Sequence, residues 1–303
     1  MKGNIKKAPG FYHGVSFAEY ASWNAINWHT LEPYRKSPLH GRWAELVEGE
    51  STDALEDGEA FHCAILEPER FKTDYAVMPE FEGHHNSNAY KAQKSAWLEG
   101  HKGQAEIDAE DEAAYNAMQK AVRDHPVAGK IMQCKGRNEI GIVWKFNGHL
   151  LKARVDTLRR VPIGLIDLAA TNPTAECIVD VDFKTTRAIG TRLINKAIAD
   201  YGYGGQLAMQ YDGLRALNPA EVVPLIIAVS KPPKASDRGP YDVVVCDMRP
   251  RMDAGRGLYR RLLTKYVACE KKQSWPGTSD FVVPMEAFPY EVDPNEVDSE
   301  IQE

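Results

Sequence analysis

Residues 177–186 read Cys-Ile-Val-Asp-Val-Asp-Phe-Lys-Thr-Thr, an apolar run that carries two carboxylates and a lysine. In an extended strand alternate side chains share a face, so Asp180, Asp182 and Lys184 point one way and Val179, Val181 and Phe183 the other. A buried carboxylate is costly unless it is paired or bound to a metal, so such a face needs a reason. Two readings fit. Carboxylates can hold Mg²⁺ or Mn²⁺ against a phosphodiester while a lysine positions the attacking water or neutralises developing charge. A solvent-facing edge strand with a salt bridge would use the same residues.

The elements around this stretch narrow the choice. Asn147-Gly148 is the dipeptide that best supports a type I′ turn, and it separates two β-patterned runs at 140–146 and 149–158. The second run puts Lys152, Arg154 and Asp156 on one face. The 177–186 strand then completes a three-stranded meander after a connection over 162–173, whose apolar part at 165–170 fits a short strand or a short helix. Downstream, helices are expected over 191–199, capped by Thr191, and over 203–217, ending at Asn218-Pro219. Strands follow at 222–229 and 241–247, then a long basic helix at 251–273.

Upstream the pattern is helical. Ser16 with Glu19 three residues on fits a capping box, and Ser37-Pro38 marks a second helix start. Residues 57–67 form a buried helix ending at Pro68, with His62 on it; by itself such a histidine is more often a satisfied structural residue than a ligand. His84 and His85 sit in an exposed loop before a helix at 90–98, and residues 108–124 form a long amphipathic helix ending before Pro126. This order predicts an α+β fold with a mixed sheet and a helical N-terminal part, as one domain over 1–284 (helical 1–130, core 131–284) and an acidic tail over 285–303.

Composition sets the outer bounds. The 303 residues are 43% hydrophobic and 26% charged, ordinary for a soluble globular protein. No apolar run approaches the roughly 18 residues of a membrane span, and the opening residues lack a signal peptide's apolar core, so a cytoplasmic location is expected. Five scattered cysteines include no CxxC pair, which argues against a zinc ribbon or a disulfide framework. The net charge of −6 opposes nucleic-acid binding at first sight. Yet no Lys or Arg follows Lys272, whereas Glu286, Glu291, Asp293, Glu296, Asp298, Glu300 and Glu303 do, so the acidity belongs partly to the tail.

Asp156 ending one strand and Asp182-x-Lys184 on the next resemble the core of the PD-(D/E)xK nuclease superfamily, in a restriction-endonuclease-like arrangement. Several segments together resemble more closely the RecE/exodeoxyribonuclease VIII family of phage and prophage recombination exonucleases, with the lambda exonuclease group similar in core chemistry. They are Gly10-Phe-Tyr-His-Gly14, Lys36-Ser-Pro-Leu-His40, Gly58-Glu-Ala-Phe-His62, Ile65-Leu-Glu-Pro-Glu-Arg-Phe71, Lys152-Ala-Arg-Val-Asp156 and Asp182-Phe-Lys-Thr-Thr186. The resemblance implies a metal-dependent 5′–3′ exonuclease acting on linear double-stranded DNA and leaving 3′ single-stranded overhangs. It also implies a ring of three or four subunits, a RecT/Bet-like single-strand annealing partner and a phage- or prophage-encoded origin in a bacterial host.

Carried over residue by residue, the resemblance makes His62, Asp156, Asp182 and the backbone carbonyl of Phe183 ligands of Mg²⁺, with Mn²⁺ as the substitute. Asp156, Asp182, Lys184 and Gln206 become the catalytic set. In the family a tyrosine follows that glutamine by four residues; here that position is Gln210 and the tyrosine is Tyr211, about 100° further round the helix. Arg187, Arg154 and Tyr211 are the candidate DNA contacts, and Asp180 is assigned a supporting role or a salt bridge. No cysteine cluster suits an iron-sulfur centre. The alternatives are another nuclease of this fold, either an endonuclease or a Cas4-like end trimmer, and a non-catalytic DNA-binding recombination scaffold.

Overall fold

The computed structural model describes residues 4–47, 53–187, 189–231 and 241–284. The expected acidic tail over 285–303 lies outside the described residues. The N-terminal part contains β1 (Gly10–Tyr12), α1 (Phe17–Ala21), α2 (Trp28–Leu31), α3 (Pro38–Leu46), α4 (Asp53–Leu66) and α5 (Pro68–Asp74). It continues through β2 (Tyr75–Val77), α6 (Asn88–Gly100), β3 (Ala105–Ile107), α7 (Ala109–Asp124) and α8 (Ala128–Gln133). The expected helix starts are present: Ser16 Oγ accepts from the amide of Glu19 at 3.1 Å, and Ser37 Oγ from that of His40 at 3.2 Å with Pro38 in the first position. The loop carrying His84 and His85 is exposed.

The core follows with β4 (Gly136–Phe146), β5 (His149–Pro162), β6 (Glu176–Thr186), α9 (Thr191–Asp200), α10 (Tyr203–Leu217), β7 (Val222–Ser230), β8 (Val243–Asp247) and α11 (Met252–Lys272). A short 3₁₀ turn at Ile163–Leu165 occupies the connection between β5 and β6. The six-stranded sheet runs β1-β4-β5-β6-β7-β8, and every neighbouring pair is antiparallel except β6 with β7. Asn147 (φ 47°) and Gly148 (φ 82°) are both left-handed, as a type I′ turn demands. The edge strand β1 and the two-stranded parallel sheet of β2 and β3 were not expected; each strand is three residues long, too short to show a period of two. Thr191 does not cap α9: the cap is Gly190 at φ 97°, a conformation a β-branched residue avoids, and Thr191 lies in the first turn.

Apolar clusters cover both faces of the sheet. On one, α9, α10 and α11 pack on Ile142, Trp144, Leu151, Val155, Ile226 and Ala228. On the other, Phe61 of α4, Met118 of α7 and Ile131 of α8 pack on Val179, Val181, Phe183 and Ile227. The β6 strand is therefore central, flanked by β5 and β7, and its charged face lies under a helix instead of in solvent. Lys152 leaves the expected charged face altogether. It is buried, and its ammonium donates to the carbonyls of Tyr20, Ala21 and Trp23 at 2.9, 3.1 and 2.9 Å, tying the end of α1 to the sheet.

Candidate metal centre and its catalytic strand

Pairing between β5 and β6 runs from Pro162–Glu176 up to Thr157–Val181 and stops, while β6 stays bonded to β7 as far as Thr186. The alternation of β5 shifts at the same place: Val155 and Leu158, three residues apart, both pack toward α10, while Thr157 pairs with Val181 of the opposite face. Across the hairpin Glu139 adopts φ 52°, a left-handed conformation that a non-glycine residue rarely takes. Beyond this break the main chain of β6 needs new partners. The amide of Phe183 donates to Asp156 Oδ2 at 2.8 Å, so a side chain substitutes for the missing ladder bond.

The carbonyl of Phe183 finds His62, which α4 delivers from the opposite layer. Its Nε2 donates to Phe183 O at 3.0 Å, and its Nδ1 lies 3.5 Å from Asp156 Oδ2. Since a carbonyl only accepts, Nε2 carries the proton in this arrangement. One ligand-type atom each from His62, Glu139 and Asp156 falls within 4.8 Å of the others. Glu139 is held from its far side by Arg154, Nε to Oε2 at 2.7 Å. Burial pushes the Glu139 carboxyl up to about 8; the nearby Asp156 charge adds to this and Arg154 opposes it. A second cation placed among these groups would reverse that balance.

On the other face of β6 the three charged residues stand in a row beneath α10. Gln206 Nε2 donates to Asp182 Oδ1 at 3.1 Å, and Gln210 Nε2, one turn on, donates to Asp180 Oδ1 at 2.7 Å. Lys184 places its ammonium 2.7 Å from Asp182 Oδ2 and 4.8 Å from the centre of the Tyr203 ring. Burial disfavours charge on Lys184, but the Asp182 and Asp156 carboxylates outweigh it and hold the ammonium above its usual value. Asp180 is fully buried with no partner for Oδ2. Burial raises its carboxyl well above the usual range against the Gln210 hydrogen bond, with the charges of Asp182 and Asp156 adding.

Of the expected residues, the structure gathers His62, Asp156 and the Phe183 carbonyl at one point and holds Asp182, Lys184 and Gln206 beside it. Asp182 is turned toward Lys184 and Gln206 and is not part of the tight histidine-carboxylate cluster. Arg154 is engaged with Glu139, Arg187 is exposed just past the end of β6, and Tyr211 packs in the core layer with the Arg256 guanidinium 5.1 Å from its ring centre. Glu139 was missed by sequence reasoning. A signal existed: counting outward from Asn147-Gly148, the register Ile140–Val155 and Asn138–Thr157 sets Glu139 across from Asp156, and two facing carboxylates repel unless something binds them.

One imidazole, two carboxylates and a main-chain carbonyl make a hard, oxygen-rich donor set of the kind that takes Mg²⁺ or Mn²⁺, so the residues present fit a divalent cation. No helix among the described residues is long and apolar enough to cross a membrane. No curated protein matches the chain. The crystal structure of a candidate exonuclease from Eubacterium rectale is similar in fold, with a TM-score of 0.52 at 11% sequence identity over 87% of this chain and 91% of that one. The family model described as a PDDEXK-like domain of unknown function (DUF3799) matches residues 27–282. With its splayed β5–β6 seam and Asp-x-Lys strand, the chain belongs to this PDDEXK-like family, of the PD-(D/E)xK nuclease superfamily.

Proposed function

We propose that the protein is a divalent-metal-dependent exodeoxyribonuclease that hydrolyses linear double-stranded DNA. The observation that carries this reading is the meeting, at one break in the sheet, of the His62–Glu139–Asp156 cluster with the Lys184–Asp182 ion pair, in which Asp182 is buried. A divalent cation bound there, Mg²⁺ by preference, supplies Lewis-acid charge and a water acidic enough to attack phosphorus near neutral pH. Asp156, Asp182, His62 and the Phe183 carbonyl are the groups to hold it, with Glu139 beside them. Lys184, cationic in its pairing with Asp182, orients the attacking water and offsets the negative charge that grows on the phosphoryl oxygens. Gln206 fixes the Asp182 carboxylate so that its second oxygen stays toward Lys184.

The finer features rest on the motif resemblance: 5′–3′ polarity, 3′ overhangs, a ring of three or four subunits and work beside a RecT/Bet-like annealing protein in phage-type recombination. Arg187, exposed beyond the catalytic strand, is the candidate grip on a terminal phosphate. A linear duplex labelled at its 5′ ends, compared with a covalently closed circle in Mg²⁺ and in EDTA, tests the proposal. Metal-dependent loss of label from the linear form alone is expected; cutting of the circle, or no cutting of either, overturns it.

A further inference from the structure

An open groove of about 760 Å³ is lined on its apolar side by Ile140, Leu158 and Ile178. It is on the Asp182 face of the sheet: Ile178 precedes Asp180 by two residues on β6, and Leu158 is the cross-strand partner of Asp180. Its walls carry Lys135, Arg137, Arg159 and Arg160 and one carboxylate, Glu176. That concentration of positive charge is anomalous in a chain of net charge −6. Glu176 is shared with Arg160 at 3.3 Å, and Arg159 donates to Asn138 Oδ1 at 2.6 Å. Lys135 and Arg137 are exposed and make no ion pair among the described residues.

At the rim, Phe11 sits across from Ile142 on the edge strand and presents part of its ring to solvent, with His13 next along the same face. Two of its lining residues stand close to the metal centre along the two strands of the hairpin. Arg137 is two residues before Glu139, and Leu158 two residues after Asp156.

We propose that this groove binds a single DNA strand leading to or from the metal centre, with phosphates on Lys135, Arg137 and Arg160 and a base stacked on Phe11. The inference rests on the nuclease reading and adds where the strand runs. Exposed cations with an exposed aromatic ring are the combination that single strands use, because phosphates provide affinity and any base offers a π-face. A volume of this size matches pockets for small molecules, enough for a few nucleotides. The acidic overall charge is then no obstacle, since the cations are gathered where the strand passes.

The test uses the full chain and the variant Phe11→Ala/Lys135→Ala/Arg137→Ala, whose substituted residues are exposed. Binding of a short fluorescein-labelled single strand is followed in EDTA across a salt series, and digestion of linear duplex is followed separately in Mg²⁺. The variant is expected to bind about tenfold more weakly, with a log–log salt slope shallower by about 1.4 for two lost phosphate contacts at ~0.7 each. Unchanged affinity and slope in the variant, or a wild type that binds no single strand, overturns the groove. Equal groove-dependent loss on blunt duplex overturns its restriction to a single strand. Groove-dependent binding by a wild type that digests no DNA supports the groove while refuting the nuclease reading.

Discussion

Glu139 offers the most quantitative handle on the site. Its carboxyl sits at about 8 in the folded chain against an ordinary value of 4.5, so the folded state keeps a proton that the unfolded state releases. The stability this contributes is complete below pH 4.5 and is lost as pH rises through about 8. At 1.36 kcal/mol per pH unit the full effect has a ceiling of about 5 kcal/mol, of which about 3 kcal/mol is lost between pH 5.5 and 8. Glu139→Gln keeps the volume and an oxygen for Arg154 but cannot ionise. In EDTA the urea midpoints of the two proteins should therefore lie close at pH 5.5 and separate by pH 8, with the variant the more stable. Saturating Mg²⁺ should close or reverse the gap at pH 8, because a cation beside Glu139 favours its carboxylate. A wild-type-minus-variant difference that stays flat with pH would show that Glu139 is not held neutral by burial and Asp156, and the reasoning fails.

Four further substitutions probe the neighbouring groups and the packing of α10 on α11. Lys184→Ala should abolish turnover on linear duplex while a gel shift in EDTA retains DNA binding; digestion at the wild-type rate would remove Lys184 from the chemistry. Asp180→Asn should be tolerated and should gain on the wild type as pH rises above about 4, since it lacks a carboxyl that must stay protonated in the fold, whereas Gln210→Leu strands Asp180 and should cost about 1–3 kcal/mol by urea denaturation. Gly255→Ala should destabilise by about 1–3 kcal/mol or more, read as a lowered Tm, because its Cβ would clash with the Gly204 carbonyl where α10 crosses α11.

The parts of this site that a linear sequence exposes are those with local signatures. Asn147-Gly148 announced the hairpin, and the apolar-charged alternation of 177–186 announced a strand with an unusual face. That face was legible; its depth was not, because an edge strand and a central strand under a helix share the same period. His62 carries no local mark, and only the resemblance assigned it to the site that α4 brings it to from the far layer. Glu139 depends on a backbone conformation that glutamate seldom adopts. The pairing of Asp180 with Gln210, which accounts for a surplus carboxylate, needed the helix to be set against the strand.

The two glutamine–carboxylate contacts also reveal a commensurate fit between unlike repeats. Four residues of helix rise about 6.0 Å and two residues of strand about 6.6 Å. Counting in these steps, Gln206 meets Asp182 and Gln210 meets Asp180, and the next step would bring Leu214 toward Ile178; Tyr203, one residue off the count, stands near Lys184. The mismatch is about 0.6 Å per rung, so three steps accumulate about 2 Å, before the twist of the sheet is added. Such a vernier stays in step for only a few rungs. Its polar length is therefore capped by geometry, and a single residue inserted into α10 between Gln206 and Gln210 would disengage one carboxylate whatever residue was inserted.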